Sequence, residues 1–104
     1  MYRVFRSEWY DKKLSKLDKS EVSRIEKFEQ QLKKQPFGGK PLGYKFFREK
    51  KFDGKRLLFL VYEDHSVVFL VTITDKKAQQ RDIDFIVSHL NIYKDEIDNL
   101  IKGL

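Results

Sequence analysis

Residues 48–56, with the sequence REKKFDGKR, concentrate positive charge in one short stretch of the chain. Five of these nine residues are lysine or arginine, and they flank an Asp-Gly pair. Guanidinium and ammonium groups bind phosphate, arginine through two parallel hydrogen bonds and lysine as a point charge. Because like charges that face each other across strands are destabilising, a chain that keeps them here indicates a surface that binds a polyanion.

The charge of the whole chain is divided in the same way. Its 104 residues carry a net charge of +6. Residues 1–56 contain 17 basic and 8 acidic residues, whereas residues 57–104 contain 5 basic and 8 acidic residues. Clustered positive charge favours a nucleic acid as the partner. A solvated, lysine-rich surface of the kind found in thermophilic proteins is the alternative interpretation.

Other kinds of chemistry lack the residues that they require. The chain has no cysteine, and the spacing of its two histidines, His65 and His89, is not typical of a metal site. The stretch FGGK lacks the spacing of a nucleotide-binding loop. No apolar run approaches the roughly 20 residues that cross a bilayer. We therefore expect a cytoplasmic protein with no metal, no cofactor and no membrane partner.

The N-terminal third of the chain predicts one strand and two helices. Residues 2–5 are typical of a short strand, and Ser7 is suited to cap the helix that follows. Asp18 and Glu21 have the spacing of a capping box at the start of a second helix. Residues 8–34 are therefore predicted to form a helical hairpin.

The middle of the chain predicts a loop at residues 36–43 and then an antiparallel meander. The strand-like runs cover residues 44–52, 55–63 and 66–74. Asp53-Gly54 is a strong signal for a two-residue hairpin turn, and Asp64-His65 is a weaker one. The last two runs are almost continuously apolar, as expected of strands that are covered on both faces.

The C-terminal part returns to helical spacing over residues 76–89. A last apolar stripe follows, which consists of Ile97, Leu100, Ile101 and Leu104. Taken together, these patterns predict a single domain, residues 1–104, of the α+β class. We expect a twisted antiparallel sheet with the helical hairpin packed on one face and further helices at the C-terminus.

The turns also predict where the cations lie. A two-residue turn at Asp53-Gly54 places Lys51 opposite Arg56. A second two-residue turn places Arg56 opposite Ile73, so that the segment TDKKAQQ emerges beside the first hairpin. The basic residues expected at this end of the sheet are Lys50, Lys51, Arg56, Lys76 and Lys77.

A helix beginning near Lys76 adds a second attraction for an anion. Thr74 or Asp75 is suited to cap this helix, and the free N–H groups of its first turn form a phosphate site. A lysine among other cations releases its proton more easily, which suits proton transfer near neutral pH.

The order of these elements, and the motifs of residues 40–80, resemble the RelE/ParE toxin superfamily. In that family a Pro-Leu loop leads into a basic strand, and an arginine begins the next strand before an apolar run. The matching residues are Pro41-Leu42, Arg48 with Lys50 and Lys51, and Arg56 before LLFLVY. The segment DKKAQQ is similar to the archaeal-type branch, and its two lysines stand where the family has a terminal basic step.

The resemblance implies the toxin of a type II toxin–antitoxin pair. RelE-like members are endoribonucleases that cleave mRNA on the ribosome without a metal, by attack of the ribose 2′-OH on the adjacent phosphate. It implies catalytic roles for Lys51, Arg56 and Lys77, and RNA binding by Arg48, Lys50, Lys55, Lys76 and Arg81. The implied partners are a RelB-like antitoxin and RNA on the ribosome.

The resemblance leaves catalysis itself open. The final basic step has lysine where the family has histidine or arginine, and no tyrosine follows it in DKKAQQRDI. ParE-like relatives poison DNA gyrase and also lack the nuclease residues. The alternative to an mRNA-cleaving enzyme is therefore a non-catalytic ParE-like toxin, or an RNA-binding or partner-binding homologue without nuclease activity.

Overall fold

The computed structural model describes residues 1–103 of the chain. Its elements are β1 (Arg3–Arg6), α1 (Glu8–Leu14), α2 (Lys19–Leu32), β2 (Lys40–Pro41), β3 (Phe47–Phe52), β4 (Lys55–Tyr62), β5 (Val67–Asp75), α3 (Gln79–Ser88) and α4 (Leu90–Lys102). The strands form one five-stranded sheet in the order β1-β5-β4-β3-β2. The predicted α+β class is confirmed.

The direction of β1 differs from the prediction. The sheet is mixed rather than antiparallel, because β1 runs parallel to β5, with Arg3 opposite Val67 and Arg6 opposite Leu70. The other neighbouring strands are antiparallel. A short strand that has no hairpin partner carries no local signal of its direction. Its pairing is long-range and depends on where α1 and α2 return the chain.

The sheet is covered on both faces. On the α1/α2 face the buried residues are Tyr10, Leu14, Ile25, Phe28, Leu32, Leu57, Phe59, Val61, Val68, Leu70 and Ile73. On the α3/α4 face they are Phe47, Leu58, Leu60, Val67, Phe69, Val71, Ile86 and Ile97. Two separate cores explain why β4 and β5 read as continuous apolar runs.

The predicted starts of α1 and α2 are confirmed. Ser7 caps α1, since its Oγ accepts a hydrogen bond from the backbone N–H of Tyr10 at 2.9 Å. Asp18 and Glu21 form the capping box of α2: each side chain accepts from the other residue's backbone N–H, at 2.8 and 3.2 Å. These caps satisfy N–H groups that have no partner within the helix.

The register of the central strands agrees with the prediction except at one point. The β3–β4 pairing is the predicted one. The β4–β5 pairing shifts by one residue at a bulge between Leu58 and Phe59. The predicted pair of Arg56 with Ile73 was therefore wrong, and Arg56 faces Thr74. A bulge adds one residue to one strand only, here β5, and it places a hydroxyl rather than an apolar side chain beside Arg56.

The starts of β3 and α3 and part of the predicted loop also differ from the prediction. The strand expected from residue 44 begins at Phe47, after a turn in which the N–H of Leu42 donates to the Phe47 carbonyl at 2.8 Å. Part of the predicted loop is the edge strand β2, where Pro41 pairs with Arg48. The helix expected from residue 76 begins at Gln79.

The C-terminal helix α4 is longer than the predicted stripe. Ile97 is fully buried, whereas Leu100 is 38% exposed. Leu104, the last member of the stripe, lies outside the described residues. Within residues 1–103, no helix is both long and apolar enough to cross a membrane.

An ionic cluster fixes α4 to the turn between β4 and β5. The Lys94 ammonium donates to Asp64 at 2.9 Å and to Asp98 at 2.8 Å, and His65 Nε2 lies 2.7 Å from the same Asp98 oxygen. The ligand atoms of Asp64, His65 and Asp98 lie within 4.8 Å of one another, close enough to coordinate one metal ion. The lysine already supplies a positive charge between the two carboxylates, so we interpret the group as an ion-pair cluster.

We expect this cluster to lose its effect in acid. The hydrogen bond from Lys94 holds the pKa of Asp98 below its ordinary value of 3.8, and the stabilisation is lost as the pH falls through that lowered value. Asp98→Asn should lower the melting temperature at neutral pH, and this difference from the wild type should vanish in acid. Asp95→Asn, an exposed change on the same helix, is the control. Equal effects of the two substitutions at neutral pH would contradict the role of the cluster.

Candidate nucleic-acid interface

The β3–β4 turn brings two of the predicted catalytic residues together. Asp53 and Gly54 have φ angles of 44° and 73°, so both adopt the left-handed conformation of a tight hairpin turn. Lys51 and Arg56 are direct cross-strand neighbours. They lie on the α3/α4 face, because residues two apart on a strand share a face and Leu58 belongs to the core of that face.

Arg56 is the most enclosed of the predicted catalytic cations. Only 9% of the residue is exposed. Its Nε lies 3.5 Å from Oε1 of Glu49, and neither of these two buried atoms has a hydrogen-bond partner among residues 1–103. Lys51, by contrast, is exposed. A guanidinium in a partly desolvated position interacts more strongly with a phosphate than one in water.

Glu49 is a member of this site that the sequence analysis missed. Its side chain is fully buried, and Oε2 accepts a hydrogen bond from the side-chain amide of Gln79 at the start of α3. The ammonium of Lys40 lies 4.0 Å from Oε1. The signal was present in the sequence, since alternation along β3 puts Glu49 on the same face as Lys51.

Lys76 and Lys77 lie in the turn between β5 and α3, and both are exposed. Asp75, which ends β5, faces Lys55 at the hairpin, so this turn emerges at the predicted end of the sheet. Asp75 also accepts a hydrogen bond from the N–H of Ala78 at 2.8 Å. It therefore closes the turn, and among residues 1–103 no side chain caps α3, which begins at Gln79.

The other hairpin cations face α1 and α2 and have protein partners. Lys55 donates to Glu21 at 2.7 Å, which lowers the pKa of that carboxyl group. The Lys50 ammonium lies 5.5 Å from the centre of the Phe28 ring. Arg24 pairs with Asp53 of the turn and lowers its pKa. The hairpin is thus fastened to α2 on one face, and its opposite face carries Lys51 and Arg56.

Arg48 is enclosed by protein groups rather than open to a ligand. Only 8% of the residue is exposed, and its guanidinium donates to the carbonyls of Gly38, Gly39 and Lys45 at 3.0, 3.3 and 2.9 Å. It also lies over the Phe37 ring, 5.6 Å from its centre. These contacts hold the loop before β3, and they compete with the predicted binding of RNA.

Replacing Arg48 with lysine tests this assignment. Lysine keeps the charge but cannot reach three carbonyls with one planar fork. We expect Arg48→Lys to lower the free energy of unfolding by about 1–3 kcal/mol, measured by urea denaturation. The salt dependence of RNA binding should stay unchanged. A weaker salt dependence with unchanged stability would instead show that Arg48 belongs to the RNA-binding surface.

Arg81, the last predicted RNA-binding residue, is on α3. Its side chain is 78% exposed, and its Nε lies 3.6 Å from Asp82. Asp82 is buried, but the Arg81 side chain itself is largely exposed and makes only this long contact, so its guanidinium stays accessible to a ligand.

A lysine-lined cleft adjoins the basic end of the sheet. It has a volume of about 180 Å³ and is lined by Lys13, Lys16, Leu17, Lys55, Ile73, Thr74, Asp75 and Ala78. The α1 lysines were not predicted to lie here, because their position depends on how α1 packs on the sheet. They extend the positive surface beyond the hairpin.

Three solved complexes resemble this chain in structure. The intact E. coli RelBE toxin–antitoxin complex matches with a TM-score of 0.66 and 22% identity, over 72% of this chain and 96% of that one. The RelBE2 complex from Mycobacterium tuberculosis gives 0.63 and 22%, over 72% and 98%. The archaeal RelE–RelB complex from Pyrococcus horikoshii gives 0.62 and 19%, over 72% and 94%.

The chain has the RelE fold. The likeness covers nearly the whole length of each matched chain, so it concerns the whole fold rather than one motif. No protein-family model matches the sequence, and no curated protein matches it significantly. At these identities the RelE likeness establishes the architecture, and the roles of individual residues depend on the site described above.

Proposed function

We propose that this protein is the toxin of a type II toxin–antitoxin pair and cleaves mRNA on the ribosome. The observation that carries the proposal is the pairing of Lys51 with Arg56 on the face of a RelE fold. The exposed Lys76–Lys77 turn emerges at the same end of the sheet. The resulting basic site combines these exposed lysines with the enclosed guanidinium of Arg56.

The proposed reaction is a transesterification within the RNA chain. The ribose 2′-oxygen forms a bond to the adjacent phosphorus as it loses its proton, and the bond from phosphorus to the 5′-oxygen breaks. The leaving oxygen takes up a proton, so that the products are a 2′,3′-cyclic phosphate and a 5′-hydroxyl end. No water is consumed. The phosphate gains negative charge in the transition state, and fixed cations stabilise it there.

Within this proposal the residues have different tasks. Arg56 holds two phosphate oxygens through its planar fork, and Lys51 adds a point charge. Lys77 is the candidate for proton transfer, since this chain has no histidine or tyrosine in the segment DKKAQQRDI. Lys76 and Arg81 bind the flanking phosphates.

Primer extension on cellular mRNA after induced expression tests the proposal. We expect growth to stop and new 5′ ends to appear within translated messages, and only while ribosomes are active. Expression of the Lys51→Ala variant should leave the messages intact. Growth arrest with intact messages would reject mRNA cleavage and direct attention to another target, such as DNA gyrase.

We further propose that a RelB-like antitoxin restrains this protein. The three solved relatives described above are RelBE or RelE–RelB complexes, and this chain has a basic hairpin end that would otherwise bind RNA indiscriminately. A segment with acidic and apolar residues fits the sheet and helices. Its binding displaces α4 or places a helix beside it, in a helix-in-groove mode.

Co-expression with an adjacent small gene tests the partner. We expect a stable complex on size-exclusion chromatography, in which hydrogen exchange is slowed at residues 50–56 or 93–103. A stable complex that protects neither segment would reject this mode of neutralisation, even if toxicity were suppressed.

A further inference from the structure

We infer that Glu49 is a positioning residue that orients the Arg56 guanidinium for a phosphate ligand. That the ligand is RNA rests on the proposed function, whereas the geometry of Glu49 and Arg56 does not. Glu49 belongs to no part of the reaction described so far. Its side chain is nonetheless fully buried on the face that carries Lys51 and Arg56.

The cost of burying this carboxylate calls for an explanation. A buried charge is unfavourable unless it is paired and hydrogen-bonded. Gln79 satisfies Oε2, but Oε1 has no hydrogen-bond partner among residues 1–103 and lies 3.5 Å from Arg56 Nε, which also has none. The two atoms are close enough to attract each other and too far apart for a good hydrogen bond.

The contact fixes which edge of the guanidinium is available. Nε is the guanidinium nitrogen beside Glu49, 3.5 Å from Oε1, which leaves the two terminal nitrogens for the oxygens of a phosphate. Hydrogen bonds in an empty site are often long and tighten when the ligand binds. Glu49 therefore holds Arg56 in the orientation that binds phosphate through a pair of parallel bonds.

Gln79 extends this arrangement to the second basic segment. It is the first residue of α3 and lies two positions after Lys77. Its amide bond to Glu49 ties the end of the Lys76–Lys77 turn to β3. One carboxylate thus connects β3, the arginine of β4 and the start of α3.

The same carboxylate opposes the binding of any anion nearby. Replacing it with the neutral amide in Glu49→Gln removes this repulsion but also releases Arg56. We expect RNA to bind about two- to fivefold more tightly, while the turnover of bound RNA falls by about tenfold or more. A residue that only supports the fold would not strengthen binding and weaken turnover at once.

A matched control and a double mutant isolate the effect. Glu63→Gln makes the same change of charge at an exposed position of the opposite turn, and it should change neither quantity. In an Arg56→Lys background, Glu49→Gln should cause no further loss of turnover, because a residue that acts through Arg56 has nothing left to orient. Additive losses would overturn the inference.

The NMR signal of the Arg56 Nε–H separates this inference from the proposed function. We expect this proton to exchange slowly in the wild-type protein and about tenfold or more faster in Glu49→Gln, with no change in Glu63→Gln. Unchanged exchange in a folded Glu49→Gln protein would overturn the positioning role. Faster exchange in a protein that cleaves no RNA would keep the positioning role and reject the nuclease.

Discussion

Replacing Gly39 with alanine should destabilise the protein by roughly 2–5 kcal/mol, the sum of a backbone cost and a steric cost. Gly39 has a φ of +69°, which an alanine adopts only at a cost of about 1–2 kcal/mol. A Cβ at this position would also lie 2.0 Å from the carbonyl oxygen of Glu49 and 2.8 Å from its carbonyl carbon. These are backbone atoms of β3, so they cannot move aside as a flexible side chain would.

Gly43 provides the control for this prediction. Its φ of +86° is also left-handed, but an added Cβ would meet no atom within 4 Å. Gly43→Ala should therefore show the backbone cost alone, about 1–2 kcal/mol. Chemical denaturation of both variants measures the difference, and equal losses would show that the loop does not approach β3 so closely in solution.

The steric cost at Gly39 also has a consequence for the site. The clash falls on the peptide of Glu49, whose side chain lies beside Arg56. A shift of this peptide moves the carboxylate relative to the guanidinium. We therefore expect any Gly39→Ala protein that still folds to lose activity as well as stability.

Local signals were enough to predict the hairpin that carries the cations. Asp53-Gly54 fixes the turn type, and the turn type fixes which residues face each other, so Lys51 opposite Arg56 followed from the sequence alone. The helix caps at Ser7 and Asp18 were equally local. Each of these features depends on residues that lie within a few positions of one another.

Features that depend on distant contacts could not be predicted in this way. The direction of β1 depends on the path of the chain through both N-terminal helices. The bulge in β5 has no signal in the turn that precedes it, and it decides that Thr74 rather than Ile73 faces Arg56. The enclosed position of Arg48 depends on the conformation of the loop whose carbonyls it binds.

Glu49 is a different case, because the information was available. The predicted phosphate site rested on the positive residues of the hairpin, and the one acidic residue of β3 had no part in it. Alternation along the strand would have placed Glu49, Lys51 and Arg56 on one face. Alternation also divides the cations between the two faces of the hairpin. Lys50 and Lys55 face α2, where they have protein partners. The net charge of a segment is therefore larger than the charge that one of its faces presents to a ligand.

Loss of Arg56 should have the largest effect on the proposed activity. Removing one fixed donor to a developing negative charge lowers turnover by about 10²- to 10³-fold. The alanine variant also leaves the buried Glu49 carboxylate without its cation, which costs about 3–5 kcal/mol. Activity is therefore best compared in Arg56→Lys, which keeps the charge, and in the double variant Arg56→Ala/Glu49→Gln, which removes both charges.

These two variants should both fold and should both fail to cleave mRNA efficiently. Arg56→Lys loses the planar fork that holds two phosphate oxygens, so we expect a loss of at least about tenfold. Circular dichroism and urea denaturation establish folding, and single-turnover cleavage on ribosomes measures activity. Lys51→Ala adds an independent test, because Lys51 is exposed and its removal leaves no buried partner. Lys12→Ala, an exposed change on α1, removes the same charge on the other face and should cleave normally. If Arg56→Lys and Lys51→Ala proteins are folded and arrest growth as fully as the Lys12→Ala protein, the reaction does not take place on this face of the sheet.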